Sequence, residues 1–361
     1  MKINELKKTV NLRDWHSYEW QLKHSLHSIE ELSELIDYNI PATLYGTVKQ
    51  YPLLVTPYYL SLAESLSEND SIIKQILPTT EEIDPHIQDT SEDPLGENPS
   101  MPVPNLIHRY PDRALIITTS SCATLCRHCM RKRLWKNKKI LTKDSLQKIC
   151  DYLKSNKNVR EIILSGGDPL LLSNTKLKKI ISAISAVDNI EIIRIGTRVP
   201  VVIPQRIDNK LCSVLNCGKP VWIATHFNHP HEISEESTKA CNIILRSGIP
   251  IVNQTVLLKG INDSAKILKK LFTGLLKIKI KPYYLFHGDP VKGTMHFRTG
   301  IEKGLEIMQE LLGNTSSLAL PTFAIDLPNG KGKVPLLHKN QRIKKGKSEY
   351  LSYEGEYYFY K

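Results

Sequence analysis

The chain has 361 residues, 41% of them hydrophobic, and a formal net charge of +12 from 49 basic and 37 acidic residues. That length admits one large domain with an appendage, or two domains; no apolar run is long enough for a bilayer span and no N-terminal stretch suits a signal peptide, so a soluble, cytoplasmic protein is expected. The seven scattered cysteines argue against a disulfide framework, and the densest basic run (Lys339, Arg342, Lys344, Lys345, Lys347) comes without a recognisable nucleic-acid module and reads as a solvated tail.

Residues 1–76 read as a helical region, with Trp15, Leu26, Ile29, Leu32 and Leu35 at three- and four-residue steps and Asn11 or Asp14 as a cap for the first helix. Residues 77–112 are rich in proline and acid and read as a long irregular segment that wraps another part of the protein. From Arg113 to residue 325 the pattern changes. Apolar runs near 114–118, 161–164, 191–195, 220–224, 249–254 and 282–286 alternate with amphipathic stretches near 143–155, 175–186, 206–215, 233–247, 264–276 and 301–312. Six β-then-α units predict an α/β fold, a partial or complete (β/α) barrel, with residues 326–361 as a short C-terminal extension. In such barrels the chemistry gathers where strands end and loops begin.

The loop after the first run holds Cys122, Cys126 and Cys129 in a Cys-x3-Cys-x2-Cys spacing. Three thiolates can hold three irons of a [4Fe–4S] cube and leave the fourth open to a small molecule, whereas electron-transfer clusters use four cysteines. A degenerate zinc knuckle is the competing reading. The spacing is the signature of radical S-adenosylmethionine (SAM) enzymes, whose open iron binds SAM. Ser165, Gly166, Gly167 and Asp168 end the second run, and the two glycines allow close approach to a ligand such as the amino group of SAM. Near the C-terminus Lys333 lies in a glycine-rich stretch, where a lysine can form a Schiff base with pyridoxal 5′-phosphate (PLP) or simply belong to a basic turn.

Beyond these motifs, residues 108–113, 126–129, 164–168, 194–206, 225–230, 253–258, 296–299 and 333–336 resemble the lysine 2,3-aminomutase family, with similarity from about Asp14 to about Leu337. The resemblance implies a radical SAM barrel that moves the 2-amino group of lysine to C3, giving β-lysine, with a [4Fe–4S] cluster, SAM and PLP as cofactors. It makes Lys333 the Schiff-base lysine, sets Arg113 on the PLP phosphate with Arg109 and Tyr110 close by, and sets Gln254 and the His226 region at SAM. It gives Arg131 the substrate carboxylate, and Asp289 and Asp326 the side-chain ammonium of lysine. As bare residues those two aspartates are equally turn formers, although a chain of charge +12 needs local carboxylates to hold a cation. The implied partners are the amino-acid substrate, an electron donor such as flavodoxin or ferredoxin, and further copies of the chain; neither membrane nor nucleic acid is expected.

The sequence also departs from the family. Ser264 stands where fuller members carry an interfacial zinc cysteine, and no cysteine follows Cys241, so any homo-oligomer would lack that zinc. Lys331 interrupts the glycine run as a second candidate Schiff-base lysine, but the residues after Lys333 fix the register. Other readings are a sibling enzyme that makes (R)-β-lysine for elongation factor P, an arginine 2,3-aminomutase, and, in a different class, a radical SAM enzyme that modifies RNA. Two acids in the side-chain pocket argue against glutamate as substrate.

Overall fold

The computed structural model describes residues 3–36, 41–136, 139–216, 218–337, 341–344, 347–352 and 356–359. A nine-stranded sheet runs in sequence order from β1 to β9. The parallel core is β2 (Arg113–Thr119), β3 (Glu161–Gly166), β4 (Ile192–Gly196), β5 (Val221–Thr225), β6 (Ile251–Leu257), β7 (Lys281–His287) and β8 (Thr322–Leu327). β1 (Leu106–Tyr110) joins one edge antiparallel to β2, and β9 (Gly332–Pro335) joins the other antiparallel to β8. Helices Lys143–Ser155, Asn174–Ser185, Asn209–Leu215, Glu235–Arg246, Ala265–Lys277 and Ile301–Leu311 follow β2 to β7 in turn, which is the expected barrel-like α/β fold.

Local chemistry starts these helices where the sequence places short polar residues. The side chains of Thr142, Ser173, Asp208, Ser234 and Ser264 each accept a hydrogen bond from a backbone N–H in the first turn. Ser264 thus serves as a helix cap. Asn11 caps the helix Leu12–Trp15, and an earlier helix, Ile3–Thr9, precedes it. The N-terminal region consists of several short helices with an antiparallel bridge between Leu26 and Val55.

The strands alternate. Ile162 and Leu164 of β3, and Ile193 and Ile195 of β4, are fully buried in one apolar core with Leu177, Ile181 and Ile184 of the outer helices. Ile163, Ser165 and Arg194 point the other way and are half-buried, as expected of a concave face open to ligands. Gly304 shows how tightly the outer layer packs. A Cβ there would come within 2.1 Å of the Phe323 ring on β8. Gly304→Val is therefore expected to lower stability by about 1–3 kcal/mol, read from urea unfolding midpoints.

The structure adds elements that the sequence pattern did not predict. β1 lies inside the proline-rich segment, and the Lys333 stretch is strand β9 rather than a loop. A separate antiparallel sheet follows, made of β10 (Gln341–Lys344), β11 (Lys347–Leu351) and β12 (Tyr357–Phe359). Lys339 and Lys345 of the basic run lie outside the described residues. Among the described residues no helix is long and apolar enough to cross a membrane.

Candidate active site

The cysteine loop leaves the end of β2 and meets the end of β3. Gly166 has φ +125°, and a Cβ on it would lie 2.3 Å from the Thr119 carbonyl oxygen; one on Gly167 would lie 2.2 Å from that of Ser121. The close approach that these glycines permit is therefore made by the cysteine loop itself. The Gly167 and Asp168 N–H groups donate to the Thr119 and Ser121 carbonyls at 2.6 and 2.8 Å. The Asp168 carboxylate is also engaged within the protein. It accepts from Thr197 Oγ1 at 2.7 Å, the Arg198 N–H at 2.7 Å and the Leu170 N–H at 3.1 Å, and so ties the end of β3 to the loop after β4.

All three motif cysteines are free thiols with partial exposure. Burial pushes the Cys122 thiol well above its usual range, and pushes Cys129 up to about 11, with the neighbouring cysteines adding to both. Thiols crowded in this way become thiolates only against nearby positive charge, which iron supplies. No three His, Cys, Asp or Glu side chains among the described residues are grouped to share one metal ion. In a [4Fe–4S] cube each thiolate takes a different iron, so the three sulfurs need not share one metal ion. The trio could hold a cluster.

Basic residues surround the motif, and buried acids from the proline-rich segment meet them. Glu82 pairs with Arg127 and Lys132, each at 2.5 Å. Glu97 pairs with Arg131 at 2.7 Å and Arg133 at 2.5 Å. Burial works to raise the Glu97 carboxyl, but Arg131 and then Arg133 outweigh it and hold it at about 2. Arg131 gives its Nε and Nη2 to Glu97 and its Nη1 to Ser165 Oγ at 3.1 Å. Glu82 and Glu97 were missed by the sequence reading. The available signal was four cations within seven residues, Arg127 to Arg133, which cannot be buried without counter-charges.

Arg198 and His226 follow the ends of β4 and β5, and Gln254 lies within β6 beside them. Arg198 Nε donates to the His226 carbonyl at 3.2 Å. Burial, and then Arg198, lowers His226 to about 4, against a hydrogen bond to the Gln254 backbone, so the ring is neutral near pH 7. Ser165, His226 and Gln254 could line a site beside the thiols.

A second group of residues forms where β7, β8 and β9 end. Asp326 lies directly opposite Lys333 in the β8–β9 ladder, and Lys333 Nζ donates to Asp326 Oδ2 at 2.6 Å. The ammonium sits 3.9 Å from the Phe286 ring centre and 5.2 Å from that of Tyr284. Burial lowers the Lys333 ammonium below its usual value, against the pull of Asp326 and Asp289. Burial, then Asp326, raises the Asp289 carboxyl to about 7. Arg113 lies over the Tyr110 ring at 3.8 Å. Arg109 Nη1 donates to the Leu95 carbonyl at 2.9 Å, while the Asn329 N–H donates to that of Pro94, also at 2.9 Å. The stretch 94–97 therefore connects Arg131 to the turn before Lys333. Lys331 is exposed. A half-buried lysine with a lowered pKa, beside aromatic rings and arginines, fits an aldehyde cofactor that carries a phosphate.

Residues 116–271 match the family model described as the Radical SAM superfamily. The L-lysine 2,3-aminomutase of Clostridium subterminale is 42% identical over 92% of this chain and 80% of that one. The chain belongs to the lysine 2,3-aminomutase family. A relative from Aquifex aeolicus, whose name gives the same activity provisionally, is 46% identical over 95% of this chain and 94% of that one. The glutamate 2,3-aminomutase of Clostridioides difficile is 40% identical over 90% of this chain and 77% of that one. The chain is thus a radical SAM isomerase of the aminomutase type, and membership implies a [4Fe–4S] cluster, SAM and PLP as its cofactors.

Proposed function

We propose that this protein is an L-lysine 2,3-aminomutase that moves the 2-amino group to C3 and forms β-lysine. The observation that carries the choice of substrate is the protein's own lysine. Its ε-ammonium lies 2.6 Å from the Asp326 carboxylate, with Asp289 close enough to act on it. A pocket that holds one lysine ammonium on this pair suits the same group on a substrate. It repels the side-chain carboxylate of glutamate, the substrate named for one relative.

In this reading Cys122, Cys126 and Cys129 hold the cluster, with Ser165, Gly166, Gly167, Asp168, His226 and Gln254 shaping the SAM site. The cluster with SAM would supply a carbon radical and PLP an electron sink. Arg113, with Arg109 and Tyr110, takes the phosphate. Lys333 binds PLP, and its lowered pKa favours the neutral amine needed for that. Arg131, held in place by Glu97, would offer its Nη1, which donates to Ser165 Oγ, to the substrate carboxylate. The stretch 94–97 and the N-terminal region bind the arginines of the site and would keep it closed and rigid, which a radical needs because it attacks almost any nearby C–H bond. An electron donor of the flavodoxin or ferredoxin class completes the system, in a cytoplasm that keeps thiols reduced.

The test is direct. Anaerobically reconstituted protein is incubated with SAM, PLP, dithionite and either lysine, arginine or glutamate, and the products are resolved by chiral chromatography. β-Lysine, which we expect as the (S) form, supports the reading; turnover of glutamate but not lysine would end it. The pocket also predicts a pH dependence. Asp289 ionises only as pH rises through about 7, while the substrate ammonium stays charged throughout. KM for lysine should therefore rise as pH falls through 7. Asp289→Asn should raise KM at pH 8 by roughly tenfold or more and flatten that dependence.

A further inference from the structure

One guanidinium stands against a cluster cysteine. Arg198, in the loop after β4, has its Nη1 2.7 Å from Cys126 Sγ. Its Nη2 lies within hydrogen-bond distance of Glu232 Oε1 at 2.5 Å, Tyr59 Oη at 2.8 Å and Gln75 Oε1 at 2.8 Å. Its Nε and backbone N–H hold the His226 carbonyl and the Asp168 carboxylate. Tyr59 and Gln75 belong to the N-terminal region, Cys126 to the cysteine loop after β2, and His226 and Glu232 to the loop after β5, so three separate parts of the chain fix this side chain while Asp168, after β3, holds its backbone. Glu232 is fully buried and is itself held by Tyr59 Oη at 2.7 Å, Gln75 Nε2 at 3.1 Å and the Asn228 N–H at 2.5 Å.

We infer that Arg198 is a positioning residue for the iron–sulfur cluster: a charged N–H···S donor to the Cys126 thiolate that raises the cluster's reduction potential, with Glu232 as the opposing charge that trims the effect. The inference rests on the cluster assignment made above. Reduction adds one electron to the cluster, from [4Fe–4S]2+ to [4Fe–4S]+, and so makes the iron–sulfide–thiolate unit more negative. A fixed cation stabilises the reduced form more than the oxidised one; a fixed anion does the reverse. In a buried site neither effect is screened much by salt.

The experiment uses the full chain, reconstituted anaerobically, as wild type, Arg198→Met, Arg198→Lys and Glu232→Gln. Iron and sulfide are measured, and the cluster is titrated with dithionite and redox mediators while the signal of the reduced form is followed by electron paramagnetic resonance. Arg198→Met should be at least tenfold harder to reduce, a negative shift of about 59 mV or more for a one-electron couple. Arg198→Lys should shift less in the same direction, and Glu232→Gln should shift positively. A merely structural role would not give opposite signs, so equal potentials in cluster-loaded variants overturn the inference. If Arg198→Met holds no cluster, Glu232→Gln decides alone: a positive shift supports the inference, and no shift or a negative one overturns it. Failure of the wild type to bind a [4Fe–4S] cluster would remove this inference and the proposed cofactor site together, whereas failure of the shifts alone leaves the proposed function standing.

Discussion

Replacing Lys333 with alanine is expected to abolish amino-group migration, by at least about a thousandfold, while leaving the cluster intact. Lys333 is the half-buried lysine at the β8–β9 end, seated between Asp326 and two aromatic rings. No other group at that ladder position can bond covalently to an aldehyde. The visible absorbance of protein-linked PLP should vanish, whereas the iron content and the spectrum of the reduced cluster should match the wild type. Lys333→Arg should fail equally. It keeps the positive charge on Asp326, but a guanidinium does not give up its proton in a protein. Lys331→Ala, at the exposed turn position, should retain activity. If Lys331→Ala were dead and Lys333→Ala active, the register adopted for this segment would be wrong.

Cys129→Ser should have an effect of equal size on the other half of the chemistry. The hydroxyl of serine is far harder to ionise than a thiol and is a poor ligand for iron–sulfide. The variant should purify without stoichiometric iron and sulfide and should not cleave SAM under dithionite. It should still take up PLP, because Arg109, Arg113, Asp326 and Lys333 depend on β1, β2, β8 and β9 rather than on the cysteine loop. Serine at Cys150, Cys212 or Cys241 should leave the iron content unchanged. Those cysteines lie on the outer helices, in the apolar core. Paired results of this kind, cluster lost with PLP kept and the reverse, would separate the two cofactor sites.

Much of this was legible in the sequence, because strand and helix periods alternate cleanly from Arg113 onward and short polar caps mark the helix starts. The cysteine loop was placed by its position after the first strand, and Asp289, Asp326 and Lys333 do converge. What stayed hidden depends on pairing between distant segments. The acids Glu82 and Glu97 carried no role within the irregular proline-rich stretch, because only the fold shows that Arg127, Arg131 and Lys132 lie across from them. Leu106–Tyr110 gave no clear strand signal, since prolines crowd it and its ladder partner is an antiparallel edge. The glycines of β3 were read as room for a ligand; distances were needed to show that the neighbour is the chain's own backbone. Arg198 sat in a quoted motif without a role, because sequence cannot show that a guanidinium reaches a sulfur atom encoded 72 positions earlier.

The antiparallel pairing of Asp326 with Lys333 has a consequence for how such genes can change. In a hairpin, side chains alternate between faces, so one codon gained or lost in the turn Pro328–Gly330 would shift the pairing by one step and turn the amine to the opposite side of the ribbon. Point substitutions in that connection are limited chiefly at Asn329 and Gly330, whose φ angles of +56° and +73° favour small or polar residues. Insertions and deletions are limited at every position, and turn length should vary less among working descendants than the identity of the residues that fill it.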